Sequence, residues 1–185
     1  IEGIVFKGEN YAHTPLPKGE YENCSFLNCS FTESSLTGIH FIDCIFDNCD
    51  MTMAKIRDAV FRDVSFKKCK LLGLRFDECN SLLLSFHFDH CILDLSSFYK
   101  LKIKNSTFSH CKLEEVDFTE TDLSNASFEH CDLNNTIFDQ SILEGVDFRT
   151  AIHFSIDPEK NRISKAKFLA DSLAGLLGKY KISIE

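Results

Sequence analysis

The sequence predicts an all-β solenoid, a chain that turns a corner every five residues and coils around one axis. The main observation is a count: Phe108, Leu113, Phe118, Leu123, Phe128, Leu133, Phe138, Leu143 and Phe148 fall at every fifth position. An earlier run, Tyr21, Phe26, Phe31, Leu36, Phe41, Phe46, Met51, Ile56, Phe61, Phe66, Leu71 and Phe76, keeps the same period. On an α-helix a five-residue step turns about 140° past a full circle and scatters these side chains around the axis. On a flat strand an odd step sends them to alternate faces. A coil of short segments, each aiming its middle residue at a central axis, keeps them all inside, and repetition of this kind identifies a solenoid.

The second observation is what stands two residues before each apolar centre. Ala54, Ala59, Val64, Ser96, Ser106, Val116, Thr121, Ala126, Thr136, Ser141 and Val146 are all small or thin. All nine cysteines, Cys24, Cys29, Cys44, Cys49, Cys69, Cys79, Cys91, Cys111 and Cys131, share that position if the first phase persists to Ser81. The two phases are offset by two residues, so a two-residue insertion is expected within Glu78 to His90, tolerated as a bulge. Phe86 and Phe88 both fit the resumed count.

Units such as TDLSN, CDLNN and VDFRT resemble those of the pentapeptide repeat family, over roughly Tyr21 to His153. The resemblance implies a right-handed quadrilateral β-helix, with four units and about 20 residues per coil, stacked about 4.8 Å apart. Every fourth centre then shares a wall. The first column reads Phe26, Phe46, Phe66, Phe88, Phe108, Phe128, Phe148, extending to Phe168, and the second Phe31, Met51, Leu71, Leu93, Leu113, Leu133. The third reads Leu36, Ile56, Phe76, Phe98, Phe118, Phe138, and the fourth Phe41, Phe61, Leu83, Ile103, Leu123, Leu143. Stacked rings are therefore expected on two opposite walls.

The ends depart from this pattern. Residues 1–20, with Pro15 and Pro17, read as a non-repeating N-terminal cap, and residues 21–153 as the coil. Pro158 falls where a centre is due and marks a turn. In residues 154–185, Phe168, Leu169, Leu173, Leu176 and Leu177 form a helical face that Gly178 is placed to end, followed by a short alternating strand in KISIE. This C-terminal helical cap exceeds what covers one coil end, so those five residues are expected to join two chains as a homodimer.

With 185 residues and 44% hydrophobic content, one domain with a substantial core is expected. No apolar run approaches the length of a membrane helix and no signal-peptide layout precedes the repeats, so the expected location is cytoplasmic. The net charge of -8 opposes direct contact with nucleic acid or anionic membrane and favours a basic protein partner. Stacked cysteines hold their side chains parallel rather than converging, and nine is an odd count, so reduced, buried packing residues are expected. His90, His110 and His130 each precede a cysteine and should stack along one edge; spaced rather than convergent, they read as solvent-facing corner residues. No metal or other cofactor is expected, and the lack of a nucleophile motif or phosphate loop argues against an enzyme.

Charge is segregated along the chain. From Asn105 to Phe148 there are ten carboxylates against Lys112 alone, a net -9. From Ala54 to Phe76, Lys55, Arg57, Arg62, Lys67, Lys68, Lys70 and Arg75 oppose Asp58 and Asp63, a net +5. The layout resembles the Qnr-type quinolone-protection proteins, the mycobacterial gyrase-inhibiting relative and the microcin immunity protein of the same family. That resemblance implies a dimeric rod that imitates DNA in a basic groove of DNA gyrase or topoisomerase IV. Glu114, Glu115, Asp117, Glu120, Asp122, Asp139, Glu144 and Asp147 are then the expected contacts. The alternative is a rigid protein-interaction scaffold with another partner and no effect on topoisomerases.

Overall fold

The computed structural model describes residues 1–82 and 84–183 and shows a four-sided parallel β-solenoid. Its strands are short: β1 (Val5–Lys7), β2 (Glu20–Glu22), β3 (Ser25–Leu27), β4 (His40–Ile42), β5 (Ile45–Asp47), β6 (Val60–Arg62), β7 (Val64–Lys67), β8 (Phe86–Asp89), β9 (Thr107–Ser109) and β10 (Ser127–Glu129). The first wall is the seven-stranded ladder β1-β3-β5-β7-β8-β9-β10, and the fourth wall begins as β2-β4-β6. All strand pairings are parallel, and apart from β7 with β8 the partners stand 20 residues apart, as in Phe6↔Phe26 and Phe108↔Phe128. Single bridges with the same spacing, such as Lys112↔Asp132 and Asp117↔Ile137, carry the second and third walls. Right-handed crossover is the strong rule for parallel strands joined this way.

The corners explain the period of five. The residue two after most centres adopts positive φ, from Asn23 (51°) and Asn28 (53°) through Glu115 and Glu120 (both 55°) to Asn135 (55°) and Gln140 (53°). A left-handed residue at a fixed interval bends the chain the same way each time, and Asn, Asp, His or Gly fills the position at least strain. Gly73, at φ 69°, has a second reason: a Cβ there would run into the Met53 sulfur of the preceding coil.

Inside, the aromatic columns run as expected and further. On the first wall Phe6, Phe26, Phe46, Phe66, Phe88, Phe108, Phe128, Phe148 and Phe168 form one stack, with successive centroids 4.7–5.4 Å apart and planes within 17°. On the third wall Phe76, Phe98, Phe118 and Phe138 stack at 4.6–5.4 Å. The two columns meet edge to face, as where Phe118 and Phe128 stand 5.8 Å apart at 76°. Burying each ring contributes about 1.5–3 kcal/mol by transfer from water alone.

The structure resolves the slip. Asn80 N–H still donates to Ala59 O in the old register, whereas Ser85 N–H reaches Phe61 O, and Val64 then lies opposite Phe86. The two extra residues therefore lie between Asn80 and Ser85. Phe88 keeps the column, stacking 5.4 Å from Phe66. Phe86 takes the thin-residue position and is fully buried, its ring 5.9 Å from Phe61 and 5.2 Å from Phe76. Leu83, expected as a fourth-wall centre, lies outside the described residues.

Both ends differ from the sequence expectation. Residues 1–20 are not a separate cap: Glu2, Phe6 and Asn10 already pair with Glu22, Phe26 and Ser30, and Tyr11 and Leu16 are buried. Phe6, Tyr11 and Leu16 in fact keep the count of five that leads to Tyr21, but Ile4 and Glu9 stand where thin residues mark later units. At the other end the stack passes Pro158, since Ile142 and Asp147 pair with Arg162 and Lys167. The helical segment is 3-10 rather than α, over Ala170–Leu176 and Gly178–Tyr180, so Gly178 starts a turn instead of ending a helix. Residues 181–183 form no strand, and residues 184–185 of the expected one lie outside the described residues. This segment lies back on the last coil, with Ile156 N–H donating to Gly175 O and Lys179 paired to Asp157 (2.9 Å) and Glu159 (2.7 Å).

Phe128→Ala should cost about 3–5 kcal/mol in denaturant unfolding through the cavity it leaves; a loss under about 1 kcal/mol would contradict the burial. Gly175→Ala should also destabilise, because its Cβ would stand 2.5 Å from the carbonyl oxygen and ring of Phe154. Unchanged thermal stability in that variant would show that the C-terminal turn does not pack as described.

Candidate interaction surface and a histidine edge

The inward thin residue has a bonding role as well as a size. Thr121 Oγ1 donates to Phe98 O at 2.8 Å, Thr136 Oγ1 to Leu113 O at 2.6 Å and Ser141 Oγ to Phe118 O at 2.8 Å. In each case the acceptor is the centre residue of the preceding coil. Cys44, Cys49 and Cys69 direct their thiols to Tyr21, Phe26 and Phe46 carbonyls in the same way, at 3.2–3.3 Å. A thiol, hydroxyl or small apolar group fits this slot, which is why Ala, Cys, Ser, Thr and Val recur there. All nine cysteines are buried and unbridged. Burial pushes the Cys44 thiol up to about 11 and that of Cys79 higher still, so neither ionises at neutral pH. Ser96 and Ser106 hydroxyls occupy the slot without a partner.

The residue after the thin one is often Asp, and its carboxylate caps the turn. Asp50, Asp117, Asp122, Asp132 and Asp147 each accept from the backbone N–H two residues on, at 2.8–3.2 Å. This is the Asx-turn arrangement. It changes the meaning of the acidic residues singled out from sequence, because Asp117, Asp122 and Asp147 are turn-builders. Asp122 is only 8% exposed, bonds both the amide and the hydroxyl of Ser124, and lies 3.2 Å from Lys104. Asp122, expected as a contact, is therefore held largely inside its own turn. Burial acts to raise its pKa, but the Ser124 bonds and Lys104 outweigh it and hold the carboxyl below its ordinary range.

The eight expected contact residues do not form one ladder. Glu114 and Glu115 lie on the second wall, Asp117, Glu120 and Asp139 on the third, Asp122 and Glu144 on the fourth, and Asp147 on the first. Five also meet cations of their own chain: Glu120 with Lys100 (3.5 Å), Asp122 with Lys104, Asp139 with Lys160 (3.5 Å), Glu144 with Arg162 (2.7 Å) and Asp147 with Arg149 (2.7 Å). Lys100, Lys104, Arg149, Lys160 and Arg162 all lie outside the segment whose charge is -9; Arg149 adjoins its end, two residues from Asp147, and coiling folds the other four back against it. Glu114, Glu115 and Glu120 stand exposed at the edges of one coil, with Glu114 accepting from Asn134 at 2.9 Å. The basic stretch is similarly dispersed, with Arg57, Lys70 and Arg75 paired to Glu78, Asp50 and Asp77.

Of the five residues expected to join two chains, Phe168 and Leu176 pack against the core of their own coil, Phe168 stacking 5.3 Å from Phe148. Leu169, Leu173 and Leu177 are exposed, at 51%, 44% and 37%. Tyr180 and Ile182 of the same segment are exposed as well.

One edge carries more than the sequence suggested. His90 and His110 stack with centroids 4.6 Å apart and planes 7° from parallel, and His130 follows at 5.0 Å. Asp89, which repeat spacing does not single out, places Oδ1 2.8 Å from His90 Nδ1. Ligand-capable atoms of Asp89, His90 and His110 all lie within 4.8 Å of one another. The three histidines are the exposed corner stack that the spacing predicts, and Asp89 is the residue that joins it, at the His90 end.

Four-sided coils with this interior are the architecture of pentapeptide repeat proteins. The sequence model for the pentapeptide repeat region matches residues 20–86 and 81–151, and the chain belongs to that family. Among solved structures, a trypsin-treated variant of QnrB1, described as a plasmid-mediated fluoroquinolone resistance protein, is similar with a TM-score of 0.66 at 16% identity, covering 100% of this chain and 99% of that one. A second trypsin-treated variant of the same protein gives 0.65 at 16% identity, covering 98% and 99%. At these identities the likeness concerns the fold. No curated protein matches. Among the described residues no helix is long and apolar enough to cross a membrane.

Acid should unmask the turn carboxylates. Asp122 has a folded pKa below its unfolded one, so its contribution is complete above the unfolded carboxylate range and is lost as pH falls through the folded value, below about pH 5. Asp122→Ala should cost about 1.5–3 kcal/mol at neutral pH, and its stability should fall less steeply in acid than that of the wild type. Identical acid profiles for the two proteins would contradict this role.

Proposed function

We propose that the chain acts by binding rather than by catalysis, as a rigid rod that offers carboxylates at fixed spacing to the basic, DNA-handling surface of a type II topoisomerase such as gyrase or topoisomerase IV. The observation that carries the reading is the coil at residues 111–125, where Glu114, Glu115 and Glu120 reach solvent on adjoining walls of a scaffold that fixes their separation. Carboxylates held this way accept charge-assisted hydrogen bonds from the Arg and Lys side chains that otherwise hold phosphates. The net charge of -8 aids encounter with such a surface in a salt-dependent manner. Asp117, Asp122, Asp139, Glu144 and Asp147 complete the proposed contact set, the last four, like Glu120, reachable once a partner's cations compete with those of the chain itself. The exposed strip of Leu169, Leu173 and Leu177 is proposed to pair two rods as a homodimer, with Phe168 and Leu176 supporting it from below. Nine buried thiols suit the reducing cytoplasm.

A second reading has its own support. Five of the eight carboxylates are neutralised within the chain, which favours an interaction scaffold whose partner reads shape more than charge. A supercoiling assay with purified gyrase, with and without a fluoroquinolone, separates the two. The topoisomerase reading expects the protein to change supercoiling or quinolone inhibition at low salt, and Glu115→Lys with Glu120→Lys to weaken the effect by several-fold or more. If the wild-type protein neither binds nor affects gyrase or topoisomerase IV at low salt, the reading fails and the scaffold remains.

A further inference from the structure

We infer that Asp89, His90 and His110 form a binding site for a divalent transition-metal ion of the zinc class, which staples the first coil after the register slip to the next one. The ligand types are those that zinc takes in three-ligand protein sites, two imidazoles and a carboxylate with water in the fourth position. Their backbone is already fixed. Asp89 lies in β8, the strand that resumes the ladder immediately after the slip, and His90 N–H donates to Ser109 O at 2.8 Å, which locks the two coils in register at this edge.

The side-chain geometry needs little adjustment. Asp89 Oδ1 and His90 Nδ1 stand 2.8 Å apart and need to open only to about 3.4 Å to become neighbouring ligand atoms of a tetrahedral ion with bonds of about 2.0–2.2 Å. The ion takes the place of the proton they share. His110 stacks on His90 at 4.6 Å, and both rings are exposed and free to tilt toward a common point. Ser109 Oγ, 2.9 Å from His110 Nδ1, supplies the outer hydrogen bond that orients a metal-binding imidazole. In the coils on the other side of the slip the same corner is Asn28 and Asn48, whose side chains join across coils through one hydrogen bond of 2.7 Å. The histidines thus stand where the structure elsewhere uses a side-chain link between coils, next to the place where the ladder has lost regularity. An ion bound only by the folded coil raises its stability by mass action.

Isothermal titration calorimetry of the full chain with zinc chloride tests this, alongside His110→Asn and His130→Asn. Asparagine is the residue found at this positive-φ corner in other coils and tolerates it, so both variants should fold, as circular dichroism would verify. One equivalent of zinc should bind the wild type and raise its melting temperature. His110→Asn should weaken binding at least about tenfold and abolish the thermal shift, while His130→Asn leaves both unchanged. Absence of saturable binding to the wild type, or equal affinity in His110→Asn, would overturn the site; equal loss in His130→Asn would overturn its assignment to these three residues.

Discussion

Everything in this molecule depends on one repeated constraint: side chains and backbone of each coil must meet their equivalents about one strand spacing away. The positive-φ corner, the inward centre, the thin residue and the turn-capping Asp are four answers to that constraint. Nine phenylalanines on the first wall, successive rings 4.7–5.4 Å apart, show how far it is satisfied. The bond from the Thr121 hydroxyl to the Phe98 carbonyl shows it at the scale of a single atom. In a solenoid each repeat contacts only its neighbours, so stability accumulates coil by coil.

Much of this was legible in the sequence because the period of five has no competing explanation. The columns, the buried cysteines and the interval holding the slip could be read from spacing. The N-terminal coil was present in the same count, through Phe6, Tyr11 and Leu16, yet obscured because Ile4 and Glu9 stand where thin residues mark later units. Phe86 was ambiguous for a physical reason: both it and Phe88 are buried, one in the thin position and one in the column. The C-terminal segment misled because a 3.6-residue apolar pattern describes an α-helix, whereas docking onto Phe154 through Gly175 imposes 3-10 turns.

The candidate surface was least legible, because charge summed along a sequence ignores what coiling brings alongside. Arg162 lies 18 residues from Glu144 and Lys100 lies 20 from Glu120, and both pairs are neighbours in the structure. Asp122 looked like a contact and serves a turn. Conversely, the spacing placed His90 and His110 on one edge, but not Asp89, which joins them there.

The slip offers the most direct test of the stacking account, since it is where two cores could separate. The structure joins them through Phe66 on Phe88 at 5.4 Å and Phe76 on Phe98 at 4.6 Å, with Phe86 filling the space between. Native-state hydrogen exchange reports the free energy at which each amide opens. The account predicts that the amides of Phe66 and Phe108, on either side of the slip, open with the same free energy, while Ser85 exchanges faster. Separate opening energies for the coils before and after the slip would contradict a single continuous core.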